Sequence, residues 1–570
     1  MRLVEIRLYD GPSVYRLEPI VKLEIAVGRT RAWHGSRAGD GSLVQLGRTV
    51  PAREWPDAVT DVVAWARRLR TDHGEGAGPV HVHHAADAGR WIVTYPFAGA
   101  ERAKAIAEAA VDLASRPVSS GRRVRLTNTQ ARWLAGWEER IEDARTTPPG
   151  WIRDDARHIP VISITGTNGK STVTRLITHI LRLAGRRVGT TTSDGILVDE
   201  QVVETGDWTG PGGAAAILRR DDVDVAVLET ARGGLVQRGM GYESNEASVL
   251  TNISSDHLDL GGIHTLAELA EVKATVCRIT RPEGWVVLNA DDPLAAAVAR
   301  RVHANVAWFT LGSTPGRHAG GKSGGTEGRR YTVEDGALVE HDGGARLVLV
   351  PVAEVPITLG GLARHNVANA LAAAAGARAL GATPEQVAAG LRDFRPSPDL
   401  SPGRLNLFTV GLTTVIVDFA HNEAGTEAIL HVARGLAGGA PVIAIVGTAG
   451  DRPDDTLIGI GKLAGELADR VVLKETRMYL RGRDGDGVIR LLREGLAAAG
   501  KDTAATPVYA TETEALAAVL TGDDEATAHP RVVALFCHEQ RPEVFELLER
   551  LGGRPLLDAV AKPAGAAGDR

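Results

Sequence analysis

The residue types best suited to chemistry sit together in one short stretch. After the apolar run Val161-Ile162-Ser163-Ile164 come Thr165-Gly166-Thr167-Asn168-Gly169-Lys170-Ser171-Thr172, and then Val173, Ile177, Ile180 and Leu181 recur at helical spacing. Strand, glycine loop and helix start make an anion cradle. Glycines let backbone N–H groups approach phosphate oxygens, the helix N-terminus adds partial positive charge, an ammonium at 170 offsets phosphate charge, and a hydroxyl at 171 suits Mg2+. The common Gly-x-x-x-x-Gly-Lys-Ser spacing would put glycine where Ile164 stands, so this loop is shorter. A tight turn is the plainer reading of Gly-Lys-Ser, but the flanking strand and helix favour a nucleotide site spanning Gly166, Thr167, Asn168, Gly169, Lys170, Ser171 and Thr172.

Other groups stand where such a loop could use them. The strand Asp224-Val225-Ala226-Val227-Leu228 ends in Glu229. A carboxylate at the C-terminal end of a parallel strand lies on the edge where such sheets bind ligands, which makes Glu229 a candidate cation holder. Alone it reads as readily as a solvated strand end. The next strand leads through Thr251 and Asn252 to Asp256-His257-Leu258-Asp259, where an imidazole between carboxylates suits a metal ligand, a charge partner or an ordinary surface loop. Lys273, in a helix expected over 267–278, is by spacing alone a surface lysine. Asn366 and Asn369 share one face of an alanine-rich helix and suit the edges of a base, although N-capping by Asn366 is the simpler reading. Pro402-Gly403-Arg404 and Asp418-Phe419-Ala420-His421-Asn422 bring a guanidinium and a strand-end carboxylate, which with the loop suggest an interdomain nucleotide clamp.

The elements that must hold these groups follow from patterning. Val4, Ile6 and Leu8 alternate as in a strand, as do residues 23–27 and 91–95, while Val59, Val62, Val63, Ala66 and Leu69 repeat as in a helix. Further helices are expected over 103–114 and through Trp133 and Trp137, giving an α+β module. Two prolines and a glycine within residues 145–150 break regular structure there. Strands at 161–164, 225–228, 248–252, 285–289 and 306–310 alternate with helices, the rhythm of a parallel βαβ sheet. Residues 313–330 read as a glycine-rich loop, a last α/β segment starts near Pro402 with strands at 414–418, 442–446, 470–474 and 532–536, and the end from Lys562 is expected to fray. The boundaries expected are 1–145, 158–400 and 401–560.

Composition excludes several classes of function. At 570 residues the chain exceeds one core, and 65 basic against 71 acidic residues give a net charge of −6, so no basic field points to nucleic acid. Two cysteines far apart, Cys277 and Cys537, fit a reducing cytoplasm rather than a disulfide framework. No apolar run reaches membrane length, so no membrane partner and a cytoplasmic location are expected.

In their order, these motifs resemble the Mur ligase superfamily, and within it the Mur-like part of cyanophycin synthetases. Thr191-Thr192-Ser193-Asp194-Gly195, Leu228 to Gly234, Leu288 to Pro293 and Pro402 to Phe408 add to the likeness, which covers about residues 158–545. It implies a P-loop parallel-sheet central domain, a Rossmann-like C-terminal domain and a smaller α+β domain before them. It also implies an ATP-dependent ligase that turns a carboxylate into an acyl phosphate and couples it to an amine. ATP and Mg2+ are the implied cofactors: Ser171, Glu229 and His257 on metal, Lys170 on phosphate, Asn366 and Asn369 on adenine, Arg404 and Asp418 on the phosphate or ribose side. Lys273 falls where many relatives carry a carbamylated lysine. The expected partners are an amino acid, peptide or small carboxylate and an amine co-substrate. The ATP-grasp module of cyanophycin synthetases is missing after residue 150, which admits a separate ATP-grasp enzyme as partner, as well as a homo-oligomer. A folylpolyglutamate-synthetase-like ligase and a non-ligating P-loop scaffold are the rival readings.

Overall fold

The computed structural model describes residues 1–27, 47–76, 78–85, 87, 89–116, 127–255, 258, 262–312, 328–522 and 529–556. The N-terminal part is a four-stranded antiparallel sheet in the order Arg2–Tyr9, Ile20–Ala26, Arg90–Pro96, His81–His84. Its alternation decides what is covered. Leu23, Ile25 and Val93 pack with Val59, Val62 and Leu69 of helix Asp57–Asp72 and Ile106 and Ala110 of helix Ala100–Ala114. The strand His81–His84 escapes the sequence pattern because three of its four residues are histidines, which carry no clear apolar period. Residues 145–150 are irregular, as the prolines require.

An eleven-stranded sheet follows. Its parallel centre runs Val188–Thr191, Val225–Glu229, Val161–Thr165, Asn245–Leu250, Thr280–Asn289, Asn305–Phe309. The first strand therefore has later strands on both sides, a switch point where α/β sheets bind ligands beyond the strand C-termini. One face carries helices Lys170–Leu183, Arg364–Ala379 and Pro384–Asp393, with Ile162, Ile164, Leu176 and Ile177 in their core. The other carries helices Pro211–Leu218, Arg232–Arg238 and Leu266–Arg278, packed on Val161, Ala226 and Leu228. The alanine-rich helix lies close to its neighbours because it has little side chain to keep them apart: a Cβ on Gly376 would stand 2.7 Å from Ile177.

Several strands depart from the sequence expectation. Val188–Thr191 contributes one apolar residue in four, and the hairpin Gly195–Val198 and Gln201–Thr205 extends that edge antiparallel. Thr280–Asn289 begins before Trp285, since Pro282 and Gly284 mask its start. Asn245–Leu250 ends before Thr251. Strands Arg330–Glu334, Ala337–Asp342 and Ala345–Pro351 complete the opposite edge, so Arg330 belongs to a strand and not to the expected loop, whose residues 313–327 lie outside the described residues. The expected fraying end from Lys562 lies outside them too.

The C-terminal sheet has parallel strands Val508–Tyr509, Arg470–Lys474, Val442–Val446, Arg531–Phe536 and Thr413–Asp418, with Asn406–Val410 and Arg554–Pro555 added antiparallel. Among the described residues, no helix is long and apolar enough to cross a membrane.

Candidate active site

The glycine loop is held from three sides. Gly169, at φ +85°, caps the helix Lys170–Leu183, and a Cβ there would come within 2.3 Å of Asn369 Oδ1. Gly166 lies at φ +149°, where a Cβ would meet Thr251 Oγ1 at 1.8 Å. No larger residue fits either position. Asn168 N–H donates to Asn252 Oδ1 (2.9 Å), while Asn252 Nδ2 (3.0 Å) and Thr251 Oγ1 (2.7 Å) donate to the Asn168 carbonyl. Thr251 and Asn252 thus shape the loop from the adjacent strand end, a role their residue types did not reveal. Lys170 Nζ donates to the Thr167 carbonyl at 2.9 Å, and Ser171 and Thr172 are buried in the first helical turn. Lys273 corrects the surface reading: it is buried, and its Nζ donates to the Gly166 carbonyl at 2.6 Å.

Glu229 lies at the next strand end, 3% exposed. Ser171 Oγ donates to its Oε1 at 3.1 Å, and among the described residues its buried Oε2 has no hydrogen-bond partner. Burial raises the Glu229 carboxyl above its ordinary value, against the opposing pull of Lys170, Arg404 and the Ser171 hydroxyl. His257 lies outside the described residues. Asn366 does not cap its helix, which starts after Ala363. Its Nδ2 donates to the Ile357 carbonyl at 3.1 Å, and its Oδ1 accepts from Asn369 Nδ2 at 2.9 Å. Both amides are buried, with Asn369 against Gly169.

The C-terminal sheet reaches the loop directly. Arg404 Nη2 stands 3.4 Å from Ser171 Oγ, its guanidinium 4.7 Å above the Phe419 ring. The turn that aims it is unusual, because Leu405 sits at φ +53°, a region costly to residues with a Cβ. Asp418 holds it there: Oδ2 accepts the Leu405 N–H (2.7 Å) and Oδ1 the Ala420 N–H (2.8 Å). Asp418 therefore acts here through the Arg404 turn. Asn422 and Asn168 exchange amide hydrogen bonds of 3.0 and 3.3 Å across the two sheets. Asp194 supplies a second bridge, with Arg175 at 2.9 Å from its own part and Arg541 at 2.7 Å from the C-terminal part. Burial alone would raise its carboxyl, but Arg541, Arg404 and Arg175 hold it below the carboxylate range.

Comparison with known proteins gives the family. Residues 164–377 match the Mur ligase middle domain and residues 403–506 the Mur ligase glutamate ligase domain. A UDP-N-acetylmuramoyl-L-alanyl-D-glutamate–2,6-diaminopimelate ligase of Chlorobium phaeobacteroides is 30% identical over 373 residues, 63% of this chain and 69% of that protein. The chain belongs to the Mur ligase family. Within this family of carbon–nitrogen ligases, a cyanophycin synthetase of Trichormus variabilis is 39% identical over 382 residues, 67% of this chain. The chain spans 42% of that protein's length. Escherichia coli FolC with ADP bound aligns at TM-score 0.49 and 21% identity, over 69% of this chain and 89% of FolC.

In a Mur ligase assembled this way, the Asp194–Arg541 bridge couples the two sheets. Arg541→Ala and Asp194→Asn are expected to be non-additive by about 0.5–3 kcal/mol in kcat/KM, as contacting residues are. A double-mutant cycle on ADP release measures this, and simple additivity would mean the pair is uncoupled.

Proposed function

We propose that this chain is an ATP-dependent ligase that converts a carboxylate to an acyl phosphate and couples it to the amine of an amino acid or related co-substrate, releasing ADP and phosphate. The observation that carries this reading is Glu229, a buried carboxylate with one oxygen on Ser171 and the other without a partner among the described residues. Such a carboxylate beside the loop hydroxyl supplies the metal site that phosphoryl transfer requires. Two hard oxygen donors side by side fit Mg2+, so Ser171 and Glu229 would hold it, with His257 as the further expected ligand. Bound there, Mg2+ would neutralise charge on the phosphates.

The chain's own residues do the rest. The amides of Gly169, Lys170 and Ser171 receive phosphate oxygens, those of Thr167 and Asn168 being taken by Asn252, and Lys170 exchanges the Thr167 carbonyl for phosphate. Arg404, propped on Phe419 and held by Asp418, brings positive charge from the C-terminal part to the same point. Asn366 and Asn369 form the base side next to Gly169, and Lys273 fixes the Gly166 carbonyl so that the loop keeps its opening. Contact between residues 158–400 and 401–560 keeps water from the acyl phosphate, which would otherwise hydrolyse. Residues 1–145 would dock the acid substrate or a partner.

The test is a panel of amines against carboxylates, read by ADP release and product mass. One pair giving an amide with one ADP per bond is the expected result. Glutamate added to a folate would favour the folylpolyglutamate-type reading, and tight ATP binding without an amide from any pair would overturn the ligase.

A further inference from the structure

The N-terminal sheet hides a charged face. Its helices cover the side carrying Leu23, Ile25 and Val93, while Glu5, Arg7, Lys22, Glu24 and Arg90 look the other way, into a cavity of about 350 Å3 against the central part. There Lys22 Nζ bridges Glu5 Oε2 (3.0 Å) and Glu24 Oε2 (2.8 Å), and Arg90 Nη1 continues to Glu24 Oε1 (3.3 Å) and Asp87 Oδ2 (2.9 Å). Arg7 pairs with Glu5 and donates to the Val236 carbonyl at 2.8 Å. The facing wall is apolar, with Leu235 and Val236 of helix Arg232–Arg238 and Ile263 and Val272 beside them.

This arrangement is costly for mere docking. Lys22 and Glu24 are buried, with Glu5, Arg7 and Arg90 half-buried around them; a pair withdrawn this far from water recovers little of its desolvation, and two parts that only had to stick together would do better with apolar side chains. A charged floor of both signs under an apolar roof instead matches a ligand with both charges and an apolar body. A cavity of this size is in the range that holds small molecules. Burial works against both Glu5 and Lys22, yet Lys22 and Arg7 keep Glu5 below its ordinary value and Tyr9, Glu24 and Glu5 keep Lys22 above its own.

We propose that this cavity binds a small zwitterion, an amino acid or short peptide with a free ammonium, a free carboxylate and an apolar side chain. The ammonium meets Glu5 and Glu24, the carboxylate Arg7 and Arg90, and the side chain Val236 and Val272. The roof connects the cavity to the candidate active site. Helix Arg232–Arg238 follows the strand that ends in Glu229, and helix Leu266–Arg278 carries Lys273. The occupant is thus either the remote end of the acid substrate in the proposed ligase or an effector of it.

Titration calorimetry of the full chain, without ATP, against alanyl-leucine and N-acetyl-alanyl-leucinamide tests the site directly. The dipeptide should bind one to one and the blocked form at least tenfold more weakly. Val236→Trp, which fills the cavity and leaves every ion pair in place, should abolish dipeptide binding with an unchanged circular dichroism spectrum. Equal binding of both probes, no binding, or binding that survives Val236→Trp would overturn the proposal. Affinity for a non-hydrolysable ATP analogue should be the same in Val236→Trp, so failure of this site and failure of the ligase reading are separable. With the substrates from the panel, a raised KM for the acid at constant kcat identifies substrate, and a changed kcat at constant KM identifies an effector.

Discussion

Lys170→Ala is expected to lower ADP release by at least about 10²–10³-fold while leaving the melting temperature nearly unchanged. Lys170 is the first residue of its helix and is half-buried, and its one bond within the loop goes to the Thr167 carbonyl at 2.9 Å. Alanine is a good helix former, so the fold loses little. The reaction loses a preorganised charge where phosphate charge develops, and removing one such donor costs about 2.7–4 kcal/mol of barrier. Lys170→Arg should rescue poorly, because a planar guanidinium does not fit the place of a compact ammonium between loop amides. Steady-state ADP release of both variants and calorimetric melting check the three statements. Turnover surviving in Lys170→Ala would move phosphate binding elsewhere in the chain.

How far this site was legible depended on sequence distance. The loop, its strand and its helix are contiguous, so residue type and spacing sufficed for Gly166 to Thr172. Glu229 was legible as a strand end because the four apolar residues before it make the strand plain. Arg404 and Asp418 could be named as groups, but their link through the Leu405 N–H depends on a left-handed turn that no periodicity encodes. Spacing alone gave Lys273 as a surface lysine, because burial is a tertiary property: its helix presents Val272 and Ala274 to the core, and the lysine is buried with its Nζ on the Gly166 carbonyl. The Asp194–Arg541 bridge carried no local signal, since its partners come from different sheets and each alone resembles a surface charge. The edge strands were missed for a related reason. Val202 and Val203 are exposed on a two-sided polar edge, so no buried face imposed an alternation to read.

Glu229→Gln separates stability from activity, and the two are expected to move in opposite directions. Burial holds the Glu229 carboxyl above its ordinary value in the folded chain. The folded state therefore binds that proton more tightly than the unfolded state. The group's stabilising contribution is full below the ordinary carboxylate pKa and is lost as pH rises through the raised one. Above the raised value, without metal or nucleotide, the ionised side chain is a burden that glutamine removes. Glu229→Gln should then melt higher than the parent protein, by about 2–4 °C for each kcal/mol relieved in a domain of this size. The difference should shrink as pH falls toward the raised value, where the parent carboxyl is protonated too. Activity should drop by about 10²-fold or more, because the amide no longer supplies the negative oxygen beside Ser171. The parent's own activity should decline on the acid side at a pH above that of an ordinary glutamate. Adding Mg2+ and an ATP analogue should reverse the melting order, since ligand that binds only the folded parent adds to its stability. Scanning calorimetry at pH 7 and pH 5, with and without these additions, tests every step. A variant that melts lower than the parent at pH 7 in their absence would show that Lys170, Arg404 and Ser171 already compensate the buried charge, and the case for Glu229 as a cation holder would lose its physical basis.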